Sequence, residues 1–261
     1  MPAPSSSRSE RLAALRAEVQ AIESGTRRGG HSRLPFGLED VDRRLEGGGI
    51  AIAALHEIAG ARPSIGDDAA ATLFIAGIAA RLDSIHKGGT VLWALGRRDL
   101  FGPGLAQAGL PPDRLIYAEC GSDQDVLAVM EEGLRHGGLA AVVGEVGRAQ
   151  TASTRRLQLA AEEGGTTALM LRRWRRSGDD PLGLPSAAMT RWRIACVPSG
   201  ALPVEGIGRP RWRVTLARQR GGEPCEWILE SPDAEGRLAL PAHASDGPDQ
   251  TVRRREDRQA A

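Results

Sequence analysis

Leu55-His56-Glu57-Ile58-Ala59-Gly60-Ala61-Arg62-Pro63-Ser64-Ile65-Gly66-Asp67-Asp68, continued by an apolar run to Leu82, is the stretch whose reading decides the fold. Its first part, from Ala54 to Gly60, predicts a strand. Asp67 to Leu82 predicts a helix that is apolar nearly all round, through Leu73, Phe74, Ile75, Ile78 and Leu82, and a helix without a polar face is buried. A strand, a Gly-bounded loop and a buried helix are the setting of a phosphate-binding P-loop. The motif requires Gly, four residues, Gly, Lys and Ser or Thr. Here five residues separate Gly60 from Gly66, and Asp67 and Asp68 stand in place of the Lys and the hydroxyl. Carboxylates in the first turn of a helix repel phosphate, so the expected role of Asp67 and Asp68 is helix capping. Gly60, Gly66, Asp67 and Asp68 therefore read as a degenerate P-loop.

Outward from this stretch, buried strands alternate with helices. Upstream, Phe36 to Leu45 predicts a short helix with Leu38, Val41 and Leu45 inward, followed by Gly47-Gly48-Gly49. Downstream, Thr90 to Leu95, Arg114 to Ala118, Leu139 to Val143 and Thr166 to Leu171 read as strands. The intervening helices fall at Gly102 to Ala108, Asp123 to Leu134 and Ser153 to Glu163. This alternation specifies an α/β domain with a largely parallel central sheet and helices on both faces. Three further strands, Thr190 to Pro198, Arg211 to Arg218 and Glu226 to Glu230, show polar–apolar alternation. They are expected as half-exposed antiparallel strands at one edge.

Three regions are expected: an N-terminal helix and basic flexible linker over 1–33, the core over 34–241, and a disordered charged tail over 242–261. The helix, Ser9 to Glu23, carries a narrow apolar stripe of Leu12, Leu15, Val19 and Ile22. It suits either packing on the core or binding a partner.

Composition bounds the chemistry. The chain has 261 residues, is 41% apolar and has a net charge of +1, which excludes a globally basic protein but not a local basic face. Lys87 is the only lysine, and its Gly-Gly-Thr continuation is not a P-loop. Cys120, Cys196 and Cys225 are too far apart for a metal site, and an odd number argues against a disulfide framework. His31, His56, His86, His136 and His243 show no ligand spacing, and His56 is expected as a satisfied core histidine. No secretory signal or membrane-spanning stretch is visible, so a reduced cytoplasmic location is expected.

Arginine and tryptophan cluster in Arg172-Arg173-Trp174-Arg175-Arg176, Arg191-Trp192-Arg193 and Arg211-Trp212-Arg213. Arginines on phosphates and aromatic faces on bases are what single-strand binding requires. Alternation in a strand instead turns Trp192 and Trp212 into the core and leaves the arginines facing solvent as a basic stripe. Arg172, Arg173, Arg175, Arg176, Arg191, Arg193, Arg211 and Arg213 are thus candidate DNA contacts.

The order of elements from about Leu34 to Pro241 resembles the RecA-like ATPase core. The match rests on the helix and glycines that open it, the strand-loop-helix around Gly60, and the antiparallel strands that close it. Arg176 to Ala188 falls where that family has a DNA-contacting loop. The Mg²⁺-associated carboxylate of that core should follow Val142-Val143. The chain there reads Gly144-Glu145, a degenerate Walker B in which Glu145 stands one residue late and would need a bulge. The water-activating carboxylate should follow Leu95, where Gly96-Arg97-Arg98 stands. No catalytic residue, metal, ATP or Mg²⁺ is therefore expected.

More narrowly, the chain resembles the ImuA family of RecA-related bacterial proteins. The strings that carry this are Leu34-Pro35-Phe36-Gly37, Leu55 to Gly60, Arg97-Arg98-Asp99-Leu100-Phe101, Glu131 to Leu139, Arg155 to Glu162, Leu171 to Arg175 and Arg211-Trp212-Arg213. The resemblance implies an accessory role in error-prone translesion synthesis within the SOS response. It implies two partners, an inactive Y-family polymerase-like protein and an error-prone replicative-type DNA polymerase, with RecA and DNA as further candidates and no membrane. Two alternatives stand beside a non-catalytic scaffold. One is a divergent DNA-dependent ATPase, with Arg62 replacing the lysine; the other is a single-stranded-DNA-binding module.

Overall fold

The computed structural model describes residues 32–82, 89–200, 206 and 208–241. The expected helix with Leu12, Leu15, Val19 and Ile22 and the expected tail over 242–261 lie outside the described residues. The chain opens with β1 (Arg33–Leu34), a single-turn helix α1 (Glu39–Asp42) and β2 (Ile50–Ala51), with β1 and β2 paired antiparallel. Then follow β3 (Leu55–Gly60), α2 (Ile65–Arg81), β4 (Val91–Leu95), α3 (Gly102–Gln107) and β5 (Leu115–Glu119). The rest is α4 (Asp123–His136), β6 (Ala141–Val146), α5 (Thr151–Gly164), β7 (Thr167–Arg172), β8 (Thr190–Val197), β9 (Arg211–Gln219) and β10 (Cys225–Glu230).

Strands β3 to β10 form one eight-stranded sheet in the order β10-β9-β8-β3-β7-β6-β4-β5. From β8 to β5 all neighbours are parallel, and the antiparallel pairings are those of β9 with β8 and with β10. This is the largely parallel α/β arrangement of a RecA-like core. One expectation is corrected. The strand at Thr190 is not a half-exposed antiparallel edge strand, because β8 pairs parallel with β3 and is buried over most of its length. Its Arg-Trp-Arg alternation reflects a charged network under one face rather than solvent.

The sheet separates two apolar layers. On one face lie Ile58, Trp93, Val143, Leu169, Leu171, Trp192 and Trp212, packed against Phe74, Ile75 and Ile78 of α2. The small residues of α2 let neighbouring segments lie close, Gly77 where Pro232 and Gly236 pack against the helix. The Phe74 ring stands 5.6 Å from Trp192 and 6.0 Å from Phe36, and burial of each such side chain contributes about 1.5–3 kcal/mol. The opposite face buries Leu55, Val142, Val146, Ala168 and Met170 against Val126, Met130 and Leu134 of α4 and Leu157 and Ala160 of α5. Gly137 and Gly165, both left-handed, terminate α4 and α5. At the far edge, β5 carries the half-exposed Ile116 and Tyr117. Among the described residues no helix is long and apolar enough to cross a membrane.

Candidate functional site

The carboxyl ends of β3, β4, β6 and β7 converge where an α/β sheet of this type holds its ligand. Four residues link β3 to α2, and Ser64 caps the helix by accepting the Asp67 N–H at 3.2 Å. The expected capping role of Asp67 and Asp68 is therefore not what the structure shows, because the helix starts at Ile65, two residues before Asp67, with Ser64 as its cap. The Asp67 side chain is instead buried and accepts from Arg62 Nε (2.9 Å), Arg62 NH2 (3.1 Å) and the Cys196 N–H (2.9 Å). Burial raises the Asp67 carboxyl, but the bonds from Arg62 and Cys196 outweigh it and hold it below its ordinary value. Arg62, the candidate lysine substitute, is committed to Asp67. Gly66 lies beside Cys196, and the Gly60 carbonyl accepts from Trp174 Nε1 at 2.8 Å.

Asp68 faces a different cation. Arg173, at the end of β7, donates to Asp68 Oδ2 at 2.7 Å, to Glu145 Oε2 at 3.0 and 3.2 Å, and to Asp99 Oδ1 at 3.4 Å. Glu145 Oε1 accepts from Trp93 Nε1 at 3.0 Å. Glu145 sits in the regular register of β6, opposite Leu171 of β7, without the bulge the Walker B reading required; Gly144 faces the other layer, against Met130. Burial raises the Glu145 carboxyl, and Arg173 opposes that rise. Burial weakens the Arg173 guanidinium, yet Glu145, Asp68 and Asp99 together raise it. The carboxyl end of the sheet thus holds a cation supplied by the chain itself, fixed by three carboxylates. Sequence reasoning missed this role of Arg173, together with Asp99 and Trp93. The available signal was parity: in a strand ending Leu171-Arg172-Arg173, the two arginines turn to opposite faces.

On the opposite face, Glu57 is fully buried between two arginines. Arg172 NH1 donates to Oε1 at 2.9 Å and Arg191 Nε to Oε2 at 2.7 Å. The expected solvent-facing stripe is corrected here, since Arg172, Arg173 and Arg191 are buried. Arg193, Arg211 and Arg213 lie on the same sheet face as Arg191, and each pairs with a carboxylate, Asp180, Glu230 and Glu226 respectively. Trp192 and Trp212 are buried, as alternation predicts. Arg175 and Arg176 remain exposed at the start of the loop 173–189. That loop is tied down by Trp174 on Gly60, Asp180 on Arg193, and Thr151 Oγ1 and Thr154 Oγ1 bonding to Pro185 and Ala187. With Gly147, Arg148 and Arg172 it encloses a cleft of about 630 Å³.

His56 is a satisfied core histidine, its Nδ1 2.7 Å from Thr190 Oγ1 and its Nε2 2.7 Å from the Ala51 carbonyl. Among the described residues no group of His, Cys, Asp and Glu is arranged to hold a metal.

No protein-family model matches the chain. Two curated relatives do, both named Protein ImuA, from Caulobacter vibrioides strains NA1000 / CB15N and ATCC 19089 / CIP 103742 / CB 15. Each is 39% identical over 206 residues, spanning 77% of this chain and 84% of the relative. That identity, over most of both chains, shows that the chain belongs to the ImuA family.

Proposed function

We infer that this protein is a non-catalytic RecA-like accessory factor in damage-inducible mutagenesis, holding together an error-prone polymerase complex for translesion synthesis in the SOS response. The observation that carries the non-catalytic part is Arg173. Phosphoryl transfer in a P-loop fold depends on a lysine on the phosphates and a hydroxyl and carboxylate on Mg²⁺. Here Asp67 and Asp68 take the lysine and hydroxyl positions and are held by Arg62 and Arg173. Glu145 is held by Arg173 and Trp93. A nucleotide would have to displace three ion pairs and face the carboxylates they leave.

What remains is a rigid sheet with exposed side chains for protein contact. Its mechanism is tethering, which raises the effective concentration of partners without new chemistry. The partners in this reading are an inactive Y-family polymerase-like protein and an error-prone replicative-type DNA polymerase.

The test is a pull-down of the full chain with those two proteins, beside an ATP turnover assay with and without single-stranded DNA. Retention of either partner with no turnover supports the reading. Absence of retention, or DNA-stimulated turnover, overturns it.

A further inference from the structure

The cleft beneath the loop 173–189 lies on the sheet face opposite the Arg173 network, and three features in it or beside it, at Arg172 and its neighbour Arg191, are left unsatisfied among the described residues. The first is charge. Arg172 and Arg191 are 2% and 8% exposed and share one carboxylate, the fully buried Glu57. A buried excess of positive charge is costly without a compensating anion. The second is hydrogen bonding. Arg172 Nε and Arg191 NH2 are buried and have no acceptor among the described residues, whereas buried polar groups in folded proteins are almost always paired. The third is shape. Arg172 lines a cleft of about 630 Å³ whose walls also carry Arg148, Arg175 and Arg176.

Two of the acidic groups nearby are already engaged. Asp180 accepts from Arg193 and the Leu182 N–H. Asp123 accepts from the Gly147 and Arg148 N–H groups and lies 3.8 Å from the rim guanidinium of Arg175. Asp179 lines the cleft and is exposed. Burial weakens the Arg172 guanidinium more than Glu57 supports it, which is the direction a bound anion would reverse.

We propose that this cleft binds a terminal phosphate group, with Arg172 at its floor and Arg148, Arg175 and Arg176 at its rim. Guanidinium forks match phosphate oxygens, and the volume suits a nucleotide-sized ligand. The depth selects the chemistry. The floor arginine is almost wholly buried, so a phosphate with a free end can reach it, whereas a phosphodiester flanked on both sides by sugars stays at the rim. Two sources offer that group, a free nucleotide and a phosphorylated strand end. The proposal does not rest on the scaffolding function.

The experiment titrates the full chain by calorimetry with AMP, adenosine, inorganic phosphate, and one short single-stranded oligonucleotide bearing either a 5′-phosphate or a 5′-hydroxyl. AMP is expected to bind at least ~10-fold more tightly than adenosine, or the 5′-phosphate strand ~10-fold more tightly than the 5′-hydroxyl strand. AMP binding identifies the nucleotide as source; preference confined to the strand identifies the strand end. Arg172→Lys keeps the charge, and so the fold, but removes the fork, and is expected to abolish the phosphate preference. Arg176→Ala, on the exposed rim, is expected to weaken binding several-fold without changing the thermal midpoint. Equal binding of both strands with no AMP binding overturns the proposal, as does an unchanged phosphate preference in Arg172→Lys.

Discussion

Arg172 and Arg173 are adjacent in the chain, yet their guanidinium groups serve opposite faces of the sheet: Arg172 holds Glu57 at 2.9 Å, and Arg173 holds Glu145 at 3.0 Å. Strand parity alone produces this division. It gives one strand end control of two separate charge networks, one joining Asp68, Asp99 and Glu145 and the other flooring the arginine-rich cleft.

Arg173 is expected to be structural. Arg173→Ala removes the partner of Glu145, whose side chain is 2% exposed, and strips Asp68 of its only ion pair among the described residues. Breaking one side of a buried pair typically destabilises by about 3–5 kcal/mol. Urea unfolding should show that loss, and Arg173→Ala should not gain ATP binding.

Restoring the motif lysine should fail. In Asp67→Lys a cation replaces a carboxylate that accepts from Arg62 and from the Cys196 N–H. The new side chain repels Arg62 and leaves the Cys196 N–H unpaired. A loss of about 2–4 kcal/mol is expected, read by thermal unfolding. A fluorescent ATP analogue should show no binding.

Two carboxyls should bend the pH dependence of stability in opposite directions. Asp67 titrates lower in the folded chain than its ordinary value of 3.8. Its stabilisation is therefore present above that value and is lost as the pH falls toward the folded pKa. Glu145 titrates above its ordinary value of 4.5 because it is buried. Its protonated form favours the fold, so that contribution is full below 4.5 and is lost as the pH rises through the folded pKa. Urea midpoints measured across this range should lose their acid limb in Asp67→Asn, and lose the decline above 4.5 in Glu145→Gln.

The two helices on the second face meet at Gly164. A side-chain carbon there would lie 1.8 Å from the Leu134 carbonyl oxygen, a backbone atom that cannot swing aside. Gly164→Ala should cost at least about 1–3 kcal/mol through overpacking. Phe74→Ala, which empties the space between Phe36 and Trp192, should cost about 3–5 kcal/mol. Denaturant midpoints of the two variants distinguish a backbone clash from a cavity.

Most of the architecture was legible in the sequence because its strands are continuous apolar runs and its helices have apolar faces. β3, β6 and β7 announce themselves by burial on both faces, and α2 by lacking a polar side. The pairing of β8 was not legible. Alternation reports which way side chains point, not whether charges meet water or a buried partner, and Glu57 lies 134 residues from Arg191. The Ser64 cap was hidden for a related reason. Asp67 and Asp68 look like capping residues locally, and only the distant Cys196 and Arg173 explain their recruitment elsewhere. The β1–β2 pair is too short to carry a period.

The position of β3 has a consequence for how the chain is made. The central strand takes both its neighbours, β7 and β8, from the second half of the chain, pairing Leu55 with Ala168 and His56 with Thr190. During synthesis its apolar surface has neither neighbour until β7, ending at Arg172, leaves the ribosome, and lacks the second until β8, ending at Val197, follows. Contacts of such sequence separation form slowly, and unpaired apolar strands invite aggregation. The first half of the chain is therefore not an independent folding unit, and a fragment ending before β7 is expected to require a chaperone or be degraded.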